Sequence, residues 1–189
     1  MVLPHEYPEI LVLEMGIDRK GDMDYLLSFV RPDIGVATHV SESHLKHFGT
    51  VARVHKEKRK LIKALPQTGF AILNADNTWT SKMDEVTEAE VIKYGFDAEA
   101  DVRVDNLLFH GDAQHVEGFS FKLNYKGKSV PMRLPLLLAK HLIPSVLAAV
   151  AVGVALRLNL VEIAQSLEGF RSLPGRMQLF LGRHNSYLI

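Results

Sequence analysis

Residues able to hold a metal ion or a nucleotide recur in this chain just after short apolar runs. Ile10-Leu11-Val12-Leu13 closes on Glu14, and Phe70-Ala71-Ile72-Leu73 closes on Asn74-Ala75-Asp76. Between them, Ile34-Gly35-Val36-Ala37 closes on Thr38, with Ser41-Glu42-Ser43-His44 following. If the runs are strands of one open α/β sheet, a carboxylate, an imidazole and an amide meet outside their carboxyl ends, where such sheets bind ligands. Glu14 is then either an exposed strand-end acid or a hard oxygen ligand for Mg²⁺, an ion that takes one or two protein carboxylates with phosphates and water. Bare burial is ruled out by the cost of an unpaired charge in an apolar setting.

Other candidates carry two readings each. Lys58 shares a helix side with Val54 and Leu61, whereas Lys56, Arg59 and Lys63 can face water; from pattern alone it is a snorkelling lysine. Asn74 and Asp76 can form an Asx turn. Arg176, after Pro174-Gly175, has the forked donors that suit phosphate. His39, His44, His47 and His55 crowd one stretch, which suggests a zinc site, but no His-Glu-x-x-His pattern is present. A Gly-x-Ser-x-Gly elbow, a Gly-x-x-x-x-Gly-Lys-Ser/Thr phosphate loop and a Gly-x-Gly-x-x-Gly turn are all missing from the sequence.

The elements that must position these groups alternate. The Ile10–Leu13 strand is followed by a glycine-bracketed turn and a helix over 22–30 with Asp22 as N-cap, stopped by Arg31-Pro32-Asp33. The Ile34–Thr38 strand, a helix over 51–65, the Phe70–Leu73 strand, a short helix within 77–90 and a strand over 90–95 complete a β-α-β-α-β series. That order favours parallel strands with right-handed crossovers. Alternating apolar residues from Asp101 to Leu134 predict antiparallel strands, with a hairpin turn at Asn124–Lys128. Helices are expected over 141–158 and 160–170, then a loop at 173–176 and strands over 177–181 and 186–189.

Bulk properties narrow the function classes. The 189 residues are 47% hydrophobic and 23% charged, enough for one packed domain. Lys plus Arg equals Asp plus Glu at 22 each, so charge gives no case for nucleic acid or a membrane surface as partner. There is no cysteine, which removes disulfides and thiolate chemistry and fits a cytoplasmic setting. No secretory signal is visible, and the uncharged run 142–156 is too short to span a bilayer and reads as a buried helix.

Taken in order, the segments resemble the central, ATP-binding domain of the Mur ligases. The nearest type is the one that adds D-alanyl-D-alanine to the UDP-muramoyl tripeptide. The resemblance rests on Leu11-Val12-Leu13-Glu14-Met15-Gly16, Gly21-Asp22-Met23, 31–38 (RPDIGVAT), 44–50 (HLKHFGT), Glu57-Lys58, 71–76 (AILNAD), Leu147-Ala148-Ala149 and 173–177 (LPGRM). It implies an α/β fold with a mostly parallel sheet flanked by helices, like P-loop NTPases but without the phosphate loop, plus a small antiparallel portion. Residues 1–189 would be an incomplete central domain, with the N-terminal domain, phosphate loop and C-terminal domain on the same or another chain.

The resemblance also implies roles. The family activates a carboxylate as an acyl phosphate with ATP, and an amino acid or dipeptide amine then attacks it. Glu14 would bind the Mg²⁺ that bridges the ATP phosphates, and His44 would help hold a second Mg²⁺. Lys58 falls where the family has a carbamylated lysine. Asn74, His141 and Arg176 would lie on the nucleotide side, and the substrates would be a UDP-linked muramoyl peptide and an amino acid or dipeptide. Some positions depart from the family pattern. Ala139, Leu142 and Ser145 stand where many relatives have a glycine and asparagines facing adenine, with His141 a partial substitute. Lys60 stands where relatives often have an acid. The expectation is a fragment of a peptidoglycan-precursor ligase, inactive by itself. The rivals are a catalytically inactive binding or scaffold module, a cyanophycin- or folylpolyglutamate-type ligase, and a metal hydrolase built on His39, His44 and His47.

Overall fold

The structure is a computed structural model that describes residues 8–43, 45–111, 116–135, 137, 139–170, 180–181 and 187–188. Six strands form one sheet in sequence order: β1 (Ile34–Ala37), β2 (Phe70–Asn74), β3 (Glu90–Gly95), β4 (Val102–Gly111), β5 (Val116–Tyr125) and β6 (Lys128–Leu134). β1 to β4 pair in parallel, and β4, β5 and β6 pair antiparallel. The mostly parallel sheet with an antiparallel extension is the architecture the sequence predicts. The β5–β6 turn falls at the expected place, with Lys126 and Gly127 both at positive φ, as a tight hairpin requires.

Helices cover both faces. Side chains alternate along β2, so Ala71 and Leu73 enter a core with Met23 of α1 (Asp22–Phe29), Phe48 of α2 (Leu45–Phe48) and Val54 and Ile62 of α3 (Val51–Lys63). Ile72 enters the opposite core, with Val146, Leu147 and Val150 of α4 (Ile143–Ala155) and Ile163 of α5 (Leu160–Glu168). Gly35 lets the end of α3 and the residues after it pack close on β1: a Cβ there would sit 3.1 Å from Leu65 Cδ1 and 3.3 Å from Ile62 Cδ1. α4 is the buried helix expected from the uncharged run, with Pro144 in its first turn, where no backbone N–H partner is lost. No helix among the described residues is long and apolar enough to cross a membrane.

Several local expectations are corrected. Ile10–Leu13 is not a strand; it is irregular chain with no ladder partner among the described residues, and its four residues are 58, 68, 87 and 47% exposed. The apolar run has strand composition, but a strand needs an edge to pair with, and a cavity separates this one from β1. The N-cap of α1 is Gly21 at φ 98°, not Asp22. Asp22 instead turns back, accepting from the N–H groups of Asp18 and Arg19 at 2.7 and 2.8 Å, which hold its carboxyl below the usual range. A short α2 was not expected. The 77–90 segment holds a 3₁₀ helix over Ser81–Val86, and a further 3₁₀ turn, Lys140–Leu142, precedes α4. Beyond α5, the described pairs Phe180–Leu181 (β7) and Tyr187–Leu188 (β8) form a small antiparallel ladder. The 173–176 loop lies outside the described residues.

Candidate active site

A cavity of about 1220 Å³ opens between the 8–18 segment and β1 and is lined by both Glu14 and Lys58. The chain positions them differently. Glu14 sits on the 8–18 segment beside Met15 and Gly16 and is exposed on the cavity wall. Lys58 projects from α3, whose first turn is fixed by the Thr50 hydroxyl accepting from the Arg53 N–H. The Lys58 Nζ donates to the His39 carbonyl at 2.7 Å, and burial lowers its pKa from the ordinary lysine value. Thr38 and His39, just past the carboxyl end of β1, complete this wall. The sheet thus gathers a carboxylate, a partly desolvated amine and a strand-end loop at one place.

Asn74 is 6% exposed and does not line this cavity. Its Nδ2 donates to the Thr38 carbonyl at 2.8 Å and its Oδ1 accepts from the Asp76 N–H at 2.9 Å. This is an Asx turn that also ties the ends of β1 and β2 together. The Asp76 carboxylate accepts from the N–H groups of Phe96 and Asp97, both at 2.9 Å. His141 is exposed on the 3₁₀ turn before α4 and is not on the cavity wall. His44 and Arg176 lie outside the described residues.

The histidines separate. His39 lines the cavity, His47 Nδ1 is 3.0 Å from a carboxylate oxygen of Asp18, and His55 packs at a tilt against Trp79 with ring centroids 5.1 Å apart. Among the described residues no three His, Cys, Asp or Glu side chains form a metal-holding group, so the zinc arrangement gains no support there. Lys60 is not on the cavity wall: its amine pairs with Asp24 at 2.6 Å and Glu57 at 2.8 Å, contacts that raise its pKa. The acid-to-lysine departure therefore puts no cation into the cavity.

Two groups escaped the sequence reading. Asp18 is a further carboxylate on the cavity wall, with Glu9, Asp22 and Asp33, although it reads as a turn residue between Gly16 and Gly21. Glu57, only 3% exposed, accepts from the N–H groups of Gly21 and Met23 at 2.9 and 3.0 Å. It thereby holds the start of α1, where backbone N–H groups are otherwise unpaired.

A layered α/β sheet with polar groups at the carboxyl ends of its parallel strands defines a ligand-binding domain of the open-sheet class. The Mur ligase middle domain family matches residues 2–153, and the chain belongs to that family. It is 34% identical over 77% of its length to a UDP-N-acetylmuramoyl-L-alanyl-D-glutamate--2,6-diaminopimelate ligase of Chlamydia caviae, covering 27% of that protein. It is 30% identical over 93% of its length to the UDP-N-acetylmuramoyl-tripeptide--D-alanyl-D-alanine ligase of Escherichia coli, covering 38% of it. The MurF ligase of Thermotoga maritima, solved in complex with ADP, superposes with a TM-score of 0.76 at 19% identity, over 93% of this chain and 39% of that one. The chain thus spans about a third of the length of these relatives.

Proposed function

We propose that this chain is the central part of an ATP-dependent acid–amino-acid ligase acting on peptidoglycan precursors. A carboxylate is activated by ATP as an acyl phosphate and then captured by an amino acid or dipeptide amine. The observation that carries the reading is the shared cavity of Glu14 and Lys58 at the carboxyl end of β1. Mg²⁺ needs few protein ligands when phosphates and water supply the rest, and an exposed carboxylate and a half-buried amine on the wall of one cavity fit that requirement. Glu14 would hold the phosphate-bridging ion, His44 would help hold a second, and a carbamylated Lys58 would add an anionic oxygen ligand; the ions would neutralise charge growing on the transferred phosphoryl group.

The chemistry of Lys58 supports this assignment. Only a neutral amine adds to carbon dioxide, forming the N–C bond and losing one proton to give an anionic carbamate. Burial of Lys58 favours that neutral form. Asn74 fixes the Thr38–His39 wall that the Lys58 amine contacts, and Asn74, His141 and Arg176 are assigned to the nucleotide side. The relatives named above join different amino components to their muramoyl peptides, so the reading is kept at the class of acid and amine.

The test is carbon-13 NMR of the chain in labelled bicarbonate. A carbamate resonance lost in Lys58→Ala and kept in Lys56→Ala is expected. A wild-type protein with no such resonance would favour an inactive binding module.

A further inference from the structure

We infer that His39 donates a hydrogen bond to a phosphoryl oxygen bound in the cavity, through a proton carried on Nε2, and that it is not a metal ligand. The identity of the oxyanion rests on the ligase reading; the position of the proton rests on the geometry alone.

The backbone around His39 is pinned first. Three successive carbonyls just past β1 each accept from a different side chain. Thr38 accepts from Asn74 Nδ2 at 2.8 Å, His39 from Lys58 Nζ at 2.7 Å and Val40 from Asn77 Nδ2 at 3.0 Å. The donors stand at the end of β2, on α3 and in the turn after β2. Val40 itself is 2% exposed, in the core that α3 shares with β2. A side chain that leaves so constrained a loop has little freedom of aim.

Asn77 then sets the ring. Its Oδ1 accepts from the N–H groups of Trp79 and Thr80 at 3.3 and 3.1 Å, while its Nδ2 donates to the Val40 carbonyl. Turning the amide over would set N–H against N–H at one end and oxygen against oxygen at the other, so its partners fix its orientation. The same Nδ2 lies 3.2 Å from His39 Nδ1. An amide nitrogen offers two protons and accepts none. One proton serves Val40 and the other meets Nδ1, which is therefore the bare, accepting nitrogen. In the neutral ring the proton then sits on Nε2. His39 is exposed and lines the cavity, and its Nε2 has no partner among the described residues.

This tautomer decides between two uses of the ring. A nitrogen that carries a proton has no lone pair for a metal ion, so Nε2 cannot join a ligand set while Asn77 holds Nδ1. A fixed N–H beside a cavity suits an oxyanion, to which it makes a charge-assisted bond. In the ligase reading the transferred phosphoryl group spreads negative charge over several oxygens; the ions cover those they bind, and His39 serves one more. The bland alternative is a histidine that only closes the turn through Nδ1 and leaves Nε2 idle.

Two-bond nitrogen–proton NMR of the full 189-residue chain, labelled with nitrogen-15 histidine and held at mildly alkaline pH, tests both parts. The chain has nine histidines, so the His39 signals are identified by their loss in His39→Leu. The proton is expected on Nε2 in the wild type and on Nδ1 in Asn77→Asp, whose carboxylate can only accept. Inorganic phosphate, added in Mg²⁺ buffer, is expected to shift the wild-type Nε2 signal. Its dissociation constant should rise about tenfold in His39→Leu, whereas His39→Gln, which keeps an N–H donor at similar reach, should hold it near the wild-type value. Neither substitution removes the His39 carbonyl that Lys58 contacts. A proton on Nδ1 in the wild type would overturn the inference. So would equal phosphate affinity in the wild type and His39→Leu, the result for a histidine that only closes the turn. A Lys58 without carbamate, found together with the Nε2 proton and the phosphate shift, would remove the ligase reading and leave the donor in place.

Discussion

Lys58 and Glu57 are neighbours with opposite tasks. Burial disfavours the charged Lys58 amine, so the unfolded chain holds that proton to higher pH than the folded one. Between the two values the unfolded state binds more protons, and stability rises with pH. Urea unfolding in carbonate-free buffer across the alkaline range should show this rise, and Lys58→Met should flatten it. Glu57 accepts two backbone N–H groups and the Lys60 amine in a buried position. Glu57→Gln keeps the shape but turns an acceptor into a donor facing donors. It is expected to cost about 2 kcal/mol of unfolding free energy and to loosen the start of α1, seen as faster hydrogen exchange there.

At the level of elements, close backbone approach sets the sharpest constraints. Gly118 in β5 has φ 79°, and a Cβ there would lie 2.1 Å from the Leu134 carbonyl oxygen. Gly127 in the hairpin turn has φ 76° with open space around it. Gly118→Ala should therefore destabilise by about 3 kcal/mol and Gly127→Ala by about 1 kcal/mol, as measured by urea denaturation. The turn role of Gly127 is legible in the sequence, but the close approach of Gly118 to the neighbouring strand is not. The strands β2 and β3, the helix α3 and the hairpin were legible because each has its own period or turn residues. Ile10–Leu13 was misread because strand composition does not supply a pairing edge. The Gly21 cap and the role of Glu57 were missed for a related reason. A glutamate in a cation-rich helix reads as solvated, and its backbone partners are 34 and 36 residues away. The resemblance to the Mur ligases pointed to Glu14 and Lys58 when spacing left each with a bland alternative.

For the whole molecule, the layering of the fold brings residues far apart in sequence to one cavity. α3 presents Lys58 and the 8–18 segment presents Glu14 to a cavity that both faces of the domain help to enclose. The most direct check of this joint site combines the carbamate resonance with a paramagnetic ion. Mn²⁺, a probe for the Mg²⁺ site, is added to protein equilibrated with labelled bicarbonate. The account predicts that low Mn²⁺ selectively broadens the Lys58 carbamate carbon, and that Glu14→Gln restores a sharp line at the same Mn²⁺ concentration. A carbamate line that stays sharp in the wild type, or broadens equally in Glu14→Gln, would contradict a shared metal site for these two side chains.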